Sequence, residues 1–120
     1  MRIALAHLAI AAPLMLAAYP VQAQTGDQVA VTAIAHGAYA DAEKALLKEL
    51  RIYPNRPELL LNLAAVYAKT GRDAEARALY ARVLDQREVL MDVTPEKTAG
   101  SHAIARTGLR RLETVQLSAR

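Results

Sequence analysis

The side chains able to do acid–base or metal chemistry are few in this 120-residue chain: three histidines, no cysteine, and acids that recur in pairs. His7 lies in an apolar N-terminal run, His36 directly precedes Gly37, and His102 follows Ser101. No two histidines stand at metal-ligand spacing, and there is no cysteine pair to hold zinc. His36 and His102 therefore read as turn or cap residues rather than general bases. Asp41 and Glu43 reappear as Asp73 and Glu75, each pair near a helix start, where negative charge favours the helix dipole. Neither pair needs a general-acid role. No glycine-rich loop offers a phosphate cradle. The inventory predicts no enzyme: no catalytic residue, no metal and no cofactor.

The N-terminus decides how much of the chain is left to fold. Met1-Arg2 supplies a positive start, Ile3 to Ala18 is almost wholly apolar, and Val21 and Ala23 precede a plausible cut three and one residues before it. Charge, apolar run and small residues are the three parts of a secretory signal. As a membrane span the run is short, about 24 Å of helix at 1.5 Å per residue, against a hydrocarbon core of roughly 30 Å. Pro13 would also cost such a span a hydrogen bond. Residues 1–23 are therefore expected to be a cleaved signal peptide, leaving no membrane span. Removing them leaves 97 of the 120 residues and takes away one arginine, so the formal charge falls from +3 to +2. That is an ordinary solubility charge rather than a nucleic-acid footprint. An exported chain without cysteine holds its fold without disulfides, which suits a bacterial periplasm or secretion from a bacterium.

With no Phe and no Trp, the core must come from Leu, Ala, Val and Ile. Residues 24–36 read as a frayed terminus and a short, degenerate helix. Val29, Val31 and Ala33 alternate like a strand, while Val29, Ala33 and His36 fit a helical face; the helix, ending at Gly37, is the favoured reading. Tyr39 to Tyr53 places Ala42, Ala45, Leu46 and Leu50 on one stripe, closed by Pro54. Pro57 opens the next helix, with Leu60, Leu63, Ala64 and Tyr67 on one face and Gly71 as its left-handed cap. Asp73 is expected to cap a further helix carrying Ala76, Leu79, Tyr80, Val83 and Leu84 to about Arg87. Residues 88–100 are expected to be a loop. Ser101 then caps a last helix and tail over 101–120, with Ile104, Ala105, Gly108, Leu109 and Leu112 inward and Arg106, Arg110 and Arg111 mainly outward.

The chain also resembles itself. Gly37-Ala38-Tyr39-Ala40-Asp41-Ala42-Glu43 returns 34 residues later as Gly71-Arg72-Asp73-Ala74-Glu75-Ala76-Arg77, and Leu50 matches Leu84. A period of 34 with paired helices points to tetratricopeptide repeats. Residues 57–87 resemble one nearly complete repeat of that family: Leu60, the Leu63-Ala64 pair, Tyr67, Gly71, Ala76 and Tyr80 take its places. Residues 37–54 resemble the second half of a preceding repeat, closed by Pro54, and together they make a core over 37–87. Glu49 stands where the family prefers a small residue and Glu88 where a closing proline is usual. The resemblance covers about half the chain. It implies an all-α stack of antiparallel helix pairs, about five helices in all, of the kind found in short exported repeat proteins of Gram-negative bacteria.

Such proteins generally bind extended peptides or partner helices in a groove lined by the first helix of each pair. On that helix the residues off the core stripe are Glu58, Leu61, Asn62, Ala65 and Lys69. Asn62 takes the family's place for hydrogen-bonding a bound peptide backbone. Leu59, Leu60 and Leu61 in succession cannot all face one core, because consecutive helical residues differ by about 100°; Leu61 is thus expected at a partner contact. Arg106 and Arg110 of the last helix would make the groove weakly basic and suit an acidic side chain or a C-terminal carboxylate. The expected function is a periplasmic interaction module for a protein or peptide partner. The alternative is a structural or self-assembling subunit of an envelope complex.

Overall fold

The computed structural model describes residues 26–119, so the expected signal peptide and cut lie outside the described residues. Five helices and one small hairpin follow in order: α1 (Gly26–Ala35), α2 (Tyr39–Ile52), α3 (Pro57–Lys69), α4 (Asp73–Leu84), β1 (Leu90–Thr94), β2 (Lys97–Gly100) and α5 (Ser101–Ser118). α1 packs on α2 and α3 on α4, each pair joined by a short turn. α3 then lies against α2 and α1, and α5 against α4 and α3. α5 therefore occupies the place that the first helix of a third pair would take.

The 34-residue period is built into the backbone hydrogen bonds. At the end of α1, Ala38 N donates to Ala33 O (2.8 Å) and Gly37 N to Ile34 O (3.0 Å). At the end of α3, Arg72 N donates to Tyr67 O (2.8 Å) and Gly71 N to Ala68 O (3.4 Å). Both are Schellman turns, which satisfy carbonyls that the helix end leaves open. Gly37 and Gly71 carry φ of +73° and +77°, the left-handed region that costs a side-chain-bearing residue about 1–2 kcal/mol. No atom lies within 4 Å of a Cβ built at either glycine, so only the backbone resists substitution there. Gly71→Ala is expected to lower the unfolding free energy by about 1 kcal/mol. A urea titration with unchanged slope and a lower midpoint would show it.

The core follows the same spacing. Ala30 and Ala64, 34 residues apart, are both 0% exposed, as are Ala42 and Ala76. These alanines allow close backbone approach where helices cross, while Leu46, Leu59, Leu60, Val66 and Val83 fill the space between. Arg72 fastens the two pairs together at their edge. Its guanidinium donates to Glu43 of α2 (2.7 Å) and to Glu75 of α4, and it stacks 4.0 Å from the Tyr67 ring centroid. Arg82 of α4 donates to Pro54 O (2.9 Å) in the α2–α3 turn.

The structure departs from the sequence reading at several points. The inward face of α1 is Ala30 with Ala33 and Ile34, whereas Val29 and His36 are exposed; His36 Nδ1 instead meets Thr32 O at 2.8 Å. Asp73 does not cap α4, whose N-cap is Arg72 without a side-chain cap bond. The segment expected as a loop contains an antiparallel hairpin, β1–β2, so the fold is helical with one two-stranded sheet rather than purely α. Ser101 does not cap α5 either. It is wholly buried and closes the base of the hairpin, accepting from Val89 N (3.0 Å) while its own N–H donates to Val89 O (2.8 Å). His102 Nε2 donates to Gln86 O at 2.7 Å, which secures the end of α4 to the start of α5.

Candidate functional site

Two cavities of about 510 and 490 Å³ lie side by side between α3 and α5. They share Ala65, Tyr80, Thr107, Gly108 and Arg111 and so form one trough. α3 supplies one wall because its Ala65, at helical spacing from Leu61, Asn62 and Lys69, lies off the buried stripe. α5 supplies the other with Thr107 and Arg111, and α4 presents Tyr80 from below. Tyr80 reaches this place because α5 has no side chain at Gly108: a Cβ there would stand 2.6 Å from Tyr80 Cε1 and Oη. The hairpin closes one end with Val93, Lys97 and Ala99. These volumes fall within the usual range for a ligand pocket, and the lining is chiefly apolar with charged groups at the rim.

The residues singled out from the sequence divide. Asn62, Ala65, Lys69 and Arg110 lie in the trough lining, with Arg110 Nη2 donating to Thr107 Oγ1 at 3.1 Å. Leu61 lines it too but is only 5% exposed, and Leu59 and Leu60 are fully buried. The expectation that one of the three must meet solvent or a partner fails because α3 is covered on several sides, by α1, α2, α4 and α5. Glu58 is outside the lining and pairs with Arg56 at 3.7 Å. Arg106 is exposed and outside the lining as well; Arg111, one turn further on and read as outward, takes the groove position instead.

Tyr80, Asp73, Thr107, Arg111 and the hairpin residues Val93 and Lys97 are among the lining residues that the sequence reading left out of the site. Burial pushes the Tyr80 hydroxyl above its ordinary value near 10, with Arg111 opposing in part. Tyr67 is also raised, first by burial and then by the charge of Glu43. A phenol whose folded-state pKa is raised holds its proton longer in the folded chain than in the unfolded one. The stability it contributes is therefore complete below about pH 10 and is lost as pH rises through the folded value. Tyr80→Phe is expected to flatten the alkaline fall in urea midpoint as pH rises above about 10, compared with the unsubstituted chain. An identical fall in both would place Tyr80 in an environment no less polar than water.

Among the described residues no cluster of three or more His, Cys, Asp or Glu side chains could hold a metal ion, and no helix is long and apolar enough to cross a membrane. No curated protein and no solved structure matches the chain. Residues 33–88, from the last turn of α1 to four residues past the end of α4, match the family model described as Tetratricopeptide repeat, a repeat that generally serves as a non-catalytic scaffold for protein–protein interaction.

Proposed function

We propose that the trough between α3 and α5 is a protein-binding groove that takes an extended peptide or segment of a partner protein, in a chain exported to the bacterial periplasm. The observation that carries this reading is the trough's continuity: two cavities sharing five residues offer a path rather than a single pocket. An extended segment repeats its side chains on one face about every 7 Å, so alternate residues can occupy successive cavities. Asn62, which lines the hairpin end, has the donor and acceptor to engage one peptide unit of such a segment. The export part rests on the pattern of residues 1–23, and N-terminal sequencing of protein recovered from the envelope tests it. A mature chain starting at Gln24 is expected; one retaining Met1 would remove it.

Photo-crosslinkers placed at Ala65 and Thr107, in the groove, and at Ala78, exposed on α4, test the binding face. A partner that crosslinks from the first two positions and not from Ala78 supports the groove. Ala65→Arg is expected to abolish that capture while the helical circular dichroism is kept. Leu61→Glu is unsuitable for this purpose, because a charge at a 5% exposed core position disrupts folding as well as binding.

A second reading has its own observation. Val115 and Leu117 on the last turns of α5 are 59% and 71% exposed, an apolar end that suits assembly with further copies or with an envelope complex. Sedimentation of the full chain over a hundredfold range of concentration decides it. A single monomeric species throughout removes self-assembly.

A further inference from the structure

The hairpin stands outside the repeat, yet it forms one end of the trough. Ala105 follows Ala64 by 41 positions, seven more than the repeat period, and both alanines are fully buried in corresponding helices. The α4–α5 connection, residues 85–100, is twelve residues longer than the α2–α3 connection, residues 53–56, and it is this length that accommodates β1 and β2. The ladder is irregular between Asp92 and Thr94, and such a bulge re-aims a side chain. Here Val93, between them, lines the cavity with Leu61 and Ala99.

Charge is segregated to the same place. The trough is lined by Lys69, Lys97, Arg110 and Arg111 against Asp73 alone, in a chain with 15 basic and 12 acidic residues. The ion pairs among the described residues are Arg56–Glu58, Arg72–Glu43 and Arg72–Glu75. None uses a groove cation. Glu43, Glu58 and Glu75 are held by cations outside the trough, and for the trough's four cations a carboxylate is the complementary group.

We propose that the groove selects an extended peptide segment in which acidic side chains alternate with apolar ones, and that the hairpin imposes this choice through Val93 and Lys97. The proposal rests on the groove reading above and gives the groove its ligand chemistry. Apolar side chains settle against Ala65, Val93 and Ile104, while carboxylates meet Lys97 and Arg111 at one end and Lys69 and Arg110 at the other. The same lining disfavours a nucleic-acid strand: Tyr80, 6% exposed, is no stacking platform of the kind such strands use.

The test uses the full chain and a panel of acetylated, amidated octapeptides in which Glu alternates with Leu, Val or Ala, beside a matched panel carrying Gln for Glu. Binding is read by fluorescence anisotropy. The Glu panel is expected to bind roughly tenfold tighter than the Gln panel, with the gap closing as salt rises. Lys97→Gln and Arg111→Gln are each expected to lower Glu-peptide affinity by roughly two- to fivefold and to leave Gln peptides unaffected. Arg106→Gln, outside the lining, should change neither. Lys97→Glu should invert the preference toward a Lys-bearing panel. Equal binding of Glu and Gln peptides would overturn the acidic selectivity and leave the groove standing. If neither panel binds, the groove reading fails with it. Displacement of bound Glu peptide by a single-stranded oligonucleotide at equal concentration would overturn the peptide as occupant.

Discussion

Gly108→Leu is expected to undock α5 from the rest of the stack and to lower the unfolding free energy by about 3 kcal/mol. The space that a side chain would need is already held by Tyr80: even a Cβ would stand 2.6 Å from its Cε1 and Oη. Tyr80 cannot simply swing aside, because its ring is only 6% exposed and belongs to the core cluster with Val83 and Ala105. Relief must come from moving α5, which packs chiefly on α4 and α3. The expected result is a two-part signature. Urea unfolding shifts to lower midpoint, and amide exchange accelerates in Ser101–Ser118 before it does in α2 or α3. Combining Gly108→Leu with Tyr80→Ala should cost less than the two changes added together, since the cavity left by one receives the atoms of the other. Strict additivity would show that the two positions do not meet. Because α5 is one wall of the trough, Gly108→Leu should also remove peptide binding.

Leu60→Ala is expected to be comparably damaging, by about 3 kcal/mol within a range of about 2–5 kcal/mol. Leu60 is fully buried in α3, the helix that touches every other helix of the fold. Truncation removes a methine and two methyl carbons from contact and leaves a cavity that several packed neighbours cannot all relax to fill. Against a typical total of about 5–15 kcal/mol for a domain, the loss takes roughly a fifth to three fifths of the stability. Thermal unfolding followed by circular dichroism measures it. A fall in midpoint of only a degree or two would mean that α3 is more exposed in solution than Leu60's burial requires. Leu47→Ala, on α2 at a 41% exposed position, supplies the comparison and should change the midpoint little.

The helical part of this fold was legible because its signals are local. Gly37 and Gly71 end their helices by left-handed turns, Pro57 begins one, and the alanine pair Ala42 and Ala76 marks where backbones cross. Each of these follows from the residue's own conformational preference or size. The hairpin was missed although Pro95-Glu96 follows the β-branched pair Val93-Thr94, and proline suits the first corner of a tight turn. Five- and four-residue strands whose side chains are mostly exposed show little apolar alternation, so periodicity had nothing to detect. The groove was half legible. Asn62, Ala65 and Lys69 follow from helical spacing on α3 alone, but Arg111 rather than Arg106 requires knowing how α5 is rotated on α4. That rotation is set by Tyr80 beneath Gly108, a contact between residues 28 positions apart. Leu61 failed for a related reason: one helix viewed alone has an inside and an outside, whereas α3 is enclosed by its neighbours.

The twin turns at Gly37 and Gly71 make the intervening 34 residues an interchangeable unit. Their hydrogen bonds correspond atom for atom, so the chain leaves the second turn in the backbone state in which it left the first. A tandem copy of residues 38–71 inserted after Gly71 would then present the same entry and exit to its neighbours, with Ala42 and Ala76 contacts reproduced at the new junction. A chain lengthened in this way should fold as a longer rod, gaining stability with the added interface, while α5 and the hairpin still close its end.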